Sequence, residues 1–144
     1  MTEKVETIKV INTAQEAAIK MAKENVSSLA VVHEDGRPAG IVTERDLVRQ
    51  VCATDKVSSQ VKVQEIISSP VKTVNADISI GEASDIMVRN KIRHLLVTDK
   101  GDMKPIGILS AMDIVAYVRE NSEAMMQVDK DVIRALEKEG GFYF

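Results

Sequence analysis

The sequence predicts an α/β (α+β) chain in which one β-α-β-β-α unit occurs twice, the copies packed as a pseudo-two-fold pair. Three observations carry this. The stretch Gly40-Ile41-Val42-Thr43-Glu44-Arg45-Asp46 returns as Gly107-Ile108-Leu109-Ser110-Ala111-Met112-Asp113. One constant offset places Val5, Thr7, Glu16, Ala17, Met21, Leu29 and Val31 on Val71, Thr73, Glu82, Ala83, Met87, Leu95 and Val97. An offset one residue longer then places Pro38, Gly40, Ile41, Asp46, Val48 and Val51 on Pro105, Gly107, Ile108, Asp113, Val115 and Val118. Strand and helix patterns follow in the same order in both copies, the mark of a repeat architecture. A unit of about 50 residues buries too little surface to be stable alone, so two copies are expected to share a core.

Residues 5–10 open the first copy as a short strand. Thr13 stands three residues before Glu16, a capping-box pattern, and residues 14–24 carry Ala17, Ala18, Met21 and Ala22 at helical spacing. Leu29-Ala30-Val31-Val32 is a continuous apolar strand. Glu34-Asp35-Gly36-Arg37 ends it with a hairpin-turn signal, and residues 38–42 return. Thr43 caps a helix to about residue 52. Residues 53–70 turn polar and are expected to be a linker with one helical turn at 63–67. Repeat 1 is thus 1–52 and repeat 2 is 71–119. In the second, a strand over 71–74 precedes Ser79, which caps a helix over 80–90 with Glu82 as partner. Leu95-Leu96-Val97-Thr98 and residues 105–109 flank a turn at Lys100-Gly101, and Ser110 caps the last helix. Residues 120–144 add an expected helix over 123–138, with Met125, Val128, Val132, Ala135 and Leu136 on one stripe. After Gly140-Gly141 comes Phe142-Tyr143-Phe144, a docking peptide or a tail packed on its nearest groove.

Composition excludes several classes. The chain is 44% hydrophobic and 28% charged, which argues for a folded domain. Apolar runs fall short of a membrane span, and Glu3 and Lys4 follow Met1 with no apolar stretch behind them, so a cytoplasmic location is expected. A net charge of −3 with dispersed Lys and Arg speaks against nucleic acid. Two His and one Cys do not make a structural zinc site, and no metal or cofactor is expected. Cys52 is expected on an apolar helix face as an inert core thiol. His33 precedes a turn and is expected at the surface.

The duplicated junction is where chemistry can enter. A strand running into a helix start gathers unpaired N–H groups at one point, where a phosphate or ribose can be held. A carboxylate in the first helical turn can accept both hydroxyls of a ribose. The same residues also read as a plain helix cap, and on physical grounds alone both readings stand. No Ser/His/Asp or Cys/His constellation suggests catalysis.

With Leu29-Ala30-Val31-Val32 and Asp35-Gly36 before it, the unit from Pro38 to Asp46 resembles a CBS domain, the cystathionine-β-synthase repeat. The stretch from Ile92-Arg93-His94-Leu95 to Asp113 resembles a second. Such a tandem pair, a Bateman module, implies a regulatory module that binds AMP, ADP, ATP or S-adenosylmethionine between the repeats. It also implies a homodimer formed through the helices and a regulated protein partner. By the family pattern, one site would use Ile41, Thr43 and Asp46 with Thr73, Asn75, Ala76, Ile92 and Arg93. The other would use Ile108, Ser110 and Asp113 with Thr7, Lys9, Val10, Val26 and Ser27. The Asp residues are expected on ribose hydroxyls and the apolar residues around the base.

Two features distinguish the sites. Arg45, Arg93 and adjacent His94 give the Asp46 site positive charge suited to phosphate, whereas the Asp113 site has Ala111 and Met112 and only Lys9. The family often has Pro in the middle strand, where Ala30 and Leu96 stand here, and Val10-Ile11 replaces the usual pattern seen in Ala76-Asp77. A dimerisation scaffold with an empty cleft is the rival reading, and a small nucleotide hydrolase a more distant one.

Overall fold

The computed structural model describes residues 5–67, 72–101 and 103–121. The expected helix over 123–138 and the Phe142-Tyr143-Phe144 tail lie outside the described residues, as do Val71, Glu3 and Lys4.

Two three-stranded sheets form, one per repeat. In the first, β1 (Thr7–Lys9) pairs in parallel with β2 (Ser28–Val32), and β2 pairs antiparallel with β3 (Pro38–Thr43). In the second, β4 (Thr73–Asn75), β5 (His94–Thr98) and β6 (Pro105–Ser110) repeat the arrangement. The parallel pairs need a crossover, supplied by α1 (Ala14–Glu24) and α3 (Ile80–Asn90). The antiparallel pairs need only a turn, and Gly36 takes φ +88 in the first of them. Helices α2 (Glu44–Leu47) and α4 (Ala111–Glu120) follow β3 and β6 directly.

Alternation along the middle strands explains how two small units become one body. Leu29 and Val31 point into the core of repeat 1, with Ala17, Met21 and Val42. Leu95 and Val97 do the same in repeat 2, with Ala83, Met87 and Ile114. The residues between them, Ala30 and Leu96, point the other way and meet at a shared seam with Ile108, flanked by Val5 and Ile41. Each middle strand is therefore buried on both faces and reads as an unbroken apolar run.

Two expectations are corrected. The polar stretch after residue 52, expected as a linker with one helical turn at 63–67, has that turn and is more than a linker. It carries two short 3-10 turns, Ser58–Gln60 and Val63–Glu65, and Val61, Val63 and Ile66 enter the core of repeat 1. Ala14 donates its N–H to the Val61 carbonyl at 2.8 Å, and Val63 donates to the Asn12 carbonyl at 2.8 Å. Alternation with outward Lys62, Gln64 and Glu65 disguised these apolar residues. Cys52, expected in the core, is exposed. Residues Val48–Cys52 form a π-helical turn, with the Ala53 N–H on the Val48 carbonyl. The wider turn leaves Val51 inward and rotates Cys52 to solvent.

Candidate functional site

Helix C-terminal geometry places the first walls of the site. Helices α1 and α3 both end in a left-handed residue, Asn25 (φ 54) and Lys91 (φ 53). The next residues, Val26 and Ile92, donate N–H groups to the Met21 and Met87 carbonyls at 3.0 Å, closing each helix with a tight reversal. The chain then enters β2 and β5 through Ser27 and Arg93. Their carbonyls accept from the Glu44 and Ala111 N–H groups at 3.0 and 2.8 Å. In both repeats this bond pins the start of the middle strand beside the start of the following helix.

Among the described residues three clefts open, two of them around this frame. The one between the repeats has a volume of about 400 Å³ and is lined by Thr43, Glu44 and Arg45 from one helix start and Ser110, Ala111 and Met112 from the other. Ser27, Arg93 and His94 complete it. A second, of about 330 Å³, has Val5, Glu6, Asn25, Val26, Ser27, Ser28 and Ile108 on its walls. A third, of about 290 Å³, is shallow and lies against Asn75, Asp77 and Glu82.

Both acidic residues of the duplicated motif turn into their own helix caps. Asp46 Oδ2 accepts from the Thr43 N–H at 2.9 Å and the Thr43 hydroxyl at 3.0 Å, while Thr43 Oγ1 accepts from the Asp46 N–H at 3.2 Å. Asp113 Oδ2 accepts from the Ser110 N–H at 2.9 Å, and Ser110 Oγ from the Asp113 N–H at 3.0 Å. Asp46 is only 7% exposed. Burial pushes its carboxyl above the usual carboxylate range, against the opposing pull of the Thr43 hydrogen bonds and of the Arg49 and Arg45 charges. Its other oxygen, Oδ1, has no hydrogen-bond partner among the described residues.

The residues of the first expected site divide. Thr43, Arg45, Arg93 and His94 come together in the central cleft. Ile41 packs on the seam and Ile92 on the core of repeat 2. Thr73 is in β4 opposite Leu96, and Asn75 opens on the shallow cleft, with exposed Ala76 next in the chain. Of the second set, Val26, Ser27 and Ile108 share the 330 Å³ cleft, and Ser27 and Ser110 also reach the central one. Thr7 lies in β1 opposite Ala30, and its carbonyl accepts from the Lys20 ammonium. Val10 packs on the core of repeat 1. Lys9 lines none of the three clefts and pairs instead with Glu34 at 3.2 Å. His33 is exposed.

Sequence reasoning missed Glu6 and Asn25. Asn directly after a helical pattern is a known cap signal and could have located the second cleft's wall. Glu6 left no comparable mark.

Among the described residues no group of His, Cys, Asp and Glu could hold a metal ion, and no helix is long and apolar enough to cross a membrane.

Comparison with known proteins is consistent with this architecture. The CBS domain family matches over residues 1–53 and again over 63–120. The CBS domain-containing protein YhcV of Bacillus subtilis is 32% identical over 124 residues, covering 86% of this chain and 86% of that protein. An uncharacterised Methanopyrus kandleri protein is 41% identical over 103 residues, 72% of this chain, and the match spans only 52% of the relative's length. Among solved structures, a candidate signal-transduction protein with CBS domains from Burkholderia ambifaria superposes with a TM-score of 0.72 at 32% identity. That alignment covers 83% of this chain and 85% of the other.

Proposed function

The chain belongs to the CBS-domain family, and on that premise we propose that it is a regulatory module that senses an adenosine-containing ligand between its two repeats. AMP, ADP, ATP and S-adenosylmethionine are the ligands in question. The observation that carries the reading is the central cleft, to which each repeat contributes a capping hydroxyl and an arginine or its counterpart. Arg45 and Arg93 suit phosphate oxygens. Asp46 is buried and lines none of the three clefts, and its Oδ1, not used by Thr43, is the acceptor this reading assigns to ribose hydroxyls. The second cleft has Glu6 on its wall and no cation among the described residues, so it favours the uncharged end of a nucleoside. Binding would bias how the module meets a regulated protein, and no residue of it is assigned a catalytic role.

A thermal-shift panel tests this with AMP, ADP, ATP, S-adenosylmethionine and a non-adenine control, on the wild type and on Asp46→Ala and Asp113→Ala. A ligand at 100 times its Kd stabilises the fold by about 2.7 kcal/mol. No shift with any adenosine compound refutes the sensor.

A specific observation favours a second reading, a dimerisation scaffold. Val48 (59% exposed), Met112 (55%) and Tyr117 (46%) sit on the segments following β3 and β6, the segments through which this reading pairs two copies. We expect a homodimer through these helices, which light scattering would detect. A dimer without ligand response would leave the scaffold alone.

A further inference from the structure

We infer that the cleft between the repeats is a single polyphosphate subsite common to both nucleoside positions, so that one chain holds two uncharged adenosines but only one nucleoside polyphosphate. This rests on the adenosine reading above. Residues expected in two separate sites line one cavity. Thr43, Arg45 and Arg93 belong to the first set and Ser27 and Ser110 to the second, yet all five border the same 400 Å³. That volume is near the lower end of the roughly 300–1,000 Å³ of one small-molecule site.

Charge gives the same answer. The repeats are duplicated in sequence but not in cations. Met112 stands where Arg45 does in the other copy, and Ser27 where Arg93 does. Among the described residues the cavity therefore has two guanidiniums for both positions together, opposed by the Glu44 carboxylate. Arg93 is half-buried, lines the cavity and makes no ion pair among the described residues. One polyphosphate saturates this charge, and a second would meet mainly the first.

Isothermal titration in magnesium-free buffer decides the matter with three probes: adenosine, ATP and inorganic tripolyphosphate. Adenosine is expected to bind at two per chain. ATP binds at one per chain, any second molecule being weaker by roughly tenfold or more. Tripolyphosphate binds at one per chain and competes with ATP. Arg93→Ser, which copies the opposite repeat, weakens tripolyphosphate by roughly tenfold. Two ATP molecules of equal affinity would overturn the shared subsite and leave the sensor standing. A single adenosine per chain, tripolyphosphate and ATP bound together without mutual effect, or unchanged tripolyphosphate affinity in a folded Arg93→Ser would each overturn it as well. Failure of every adenosine compound to bind ends the sensor and the subsite together.

Discussion

Replacing Asp46 by Asn separates ligand binding from stability and does so with opposite signs. A carboxylate offers about four acceptor positions. In Asp46 two are used by the Thr43 N–H and hydroxyl, both on Oδ2, and Oδ1 is the acceptor that the proposed function assigns to ribose. A hydrogen bond to a charged group contributes about 1.5–3 kcal/mol. Losing one such bond weakens adenosine binding roughly 10- to 150-fold. The cap survives, because the Asn carbonyl accepts from Thr43 as Oδ2 did.

Stability moves the other way. Burial holds the folded Asp46 carboxyl above its ordinary value of 3.8, so the folded chain binds that proton more tightly than the unfolded chain. The stability this proton contributes is present at low pH and lost as pH rises from about 3.8 through the raised folded value. Asp46→Asn carries no charge to desolvate. Its melting temperature should therefore equal or exceed the wild type's at pH 7, with the gap narrowing toward pH 4.5. Titration calorimetry gives the affinity and a melting series over pH gives the stability. Wild-type affinity in the variant would refute Asp46 as the ribose acceptor. A variant less stable at pH 7 than at pH 4.5, relative to wild type, would refute the burial argument.

Two further outcomes test the frame of the fold. Ile66→Ala should destabilise the chain by about 2–5 kcal/mol, measured by urea unfolding, because Ile66 is 1% exposed in the core of repeat 1. A loss under about 0.5 kcal/mol, the scale of a surface substitution, would mean that this segment is a loose connection after all. Lys91→Gly should raise stability by a few tenths to about 1 kcal/mol, since a non-Gly residue at positive φ is strained and Gly is not. The matched change Asn25→Gly should gain less, since Asn tolerates the left-handed region, and equal gains would refute the strain argument.

The duplication, the order of elements and the caps were readable because each is local. Thr13 with Glu16, Thr43 with Asp46 and Ser110 with Asp113 form capping boxes whose partners are three residues apart, a spacing visible in one dimension. Leu29 to Val32 and Leu95 to Val97 announced themselves as buried strands by unbroken apolarity. What had no local signature went unread. Val61, Val63 and Ile66 belong to a core assembled chiefly from residues before 52, and a polar neighbourhood hid them. Cys52 left the core through one π turn, which no apolar spacing encodes.

The sequence alone therefore determined two equivalent halves, each with a hydroxyl and an acid at a helix start, because periodicity and capping depend only on near neighbours. Tertiary structure alone decided that Ser27, Thr43, Arg93 and Ser110 share one cleft. The physical reason is the seam. Only when Ala30, Leu96 and Ile108 pack across the two sheets do the helix starts of both halves meet over a common gap.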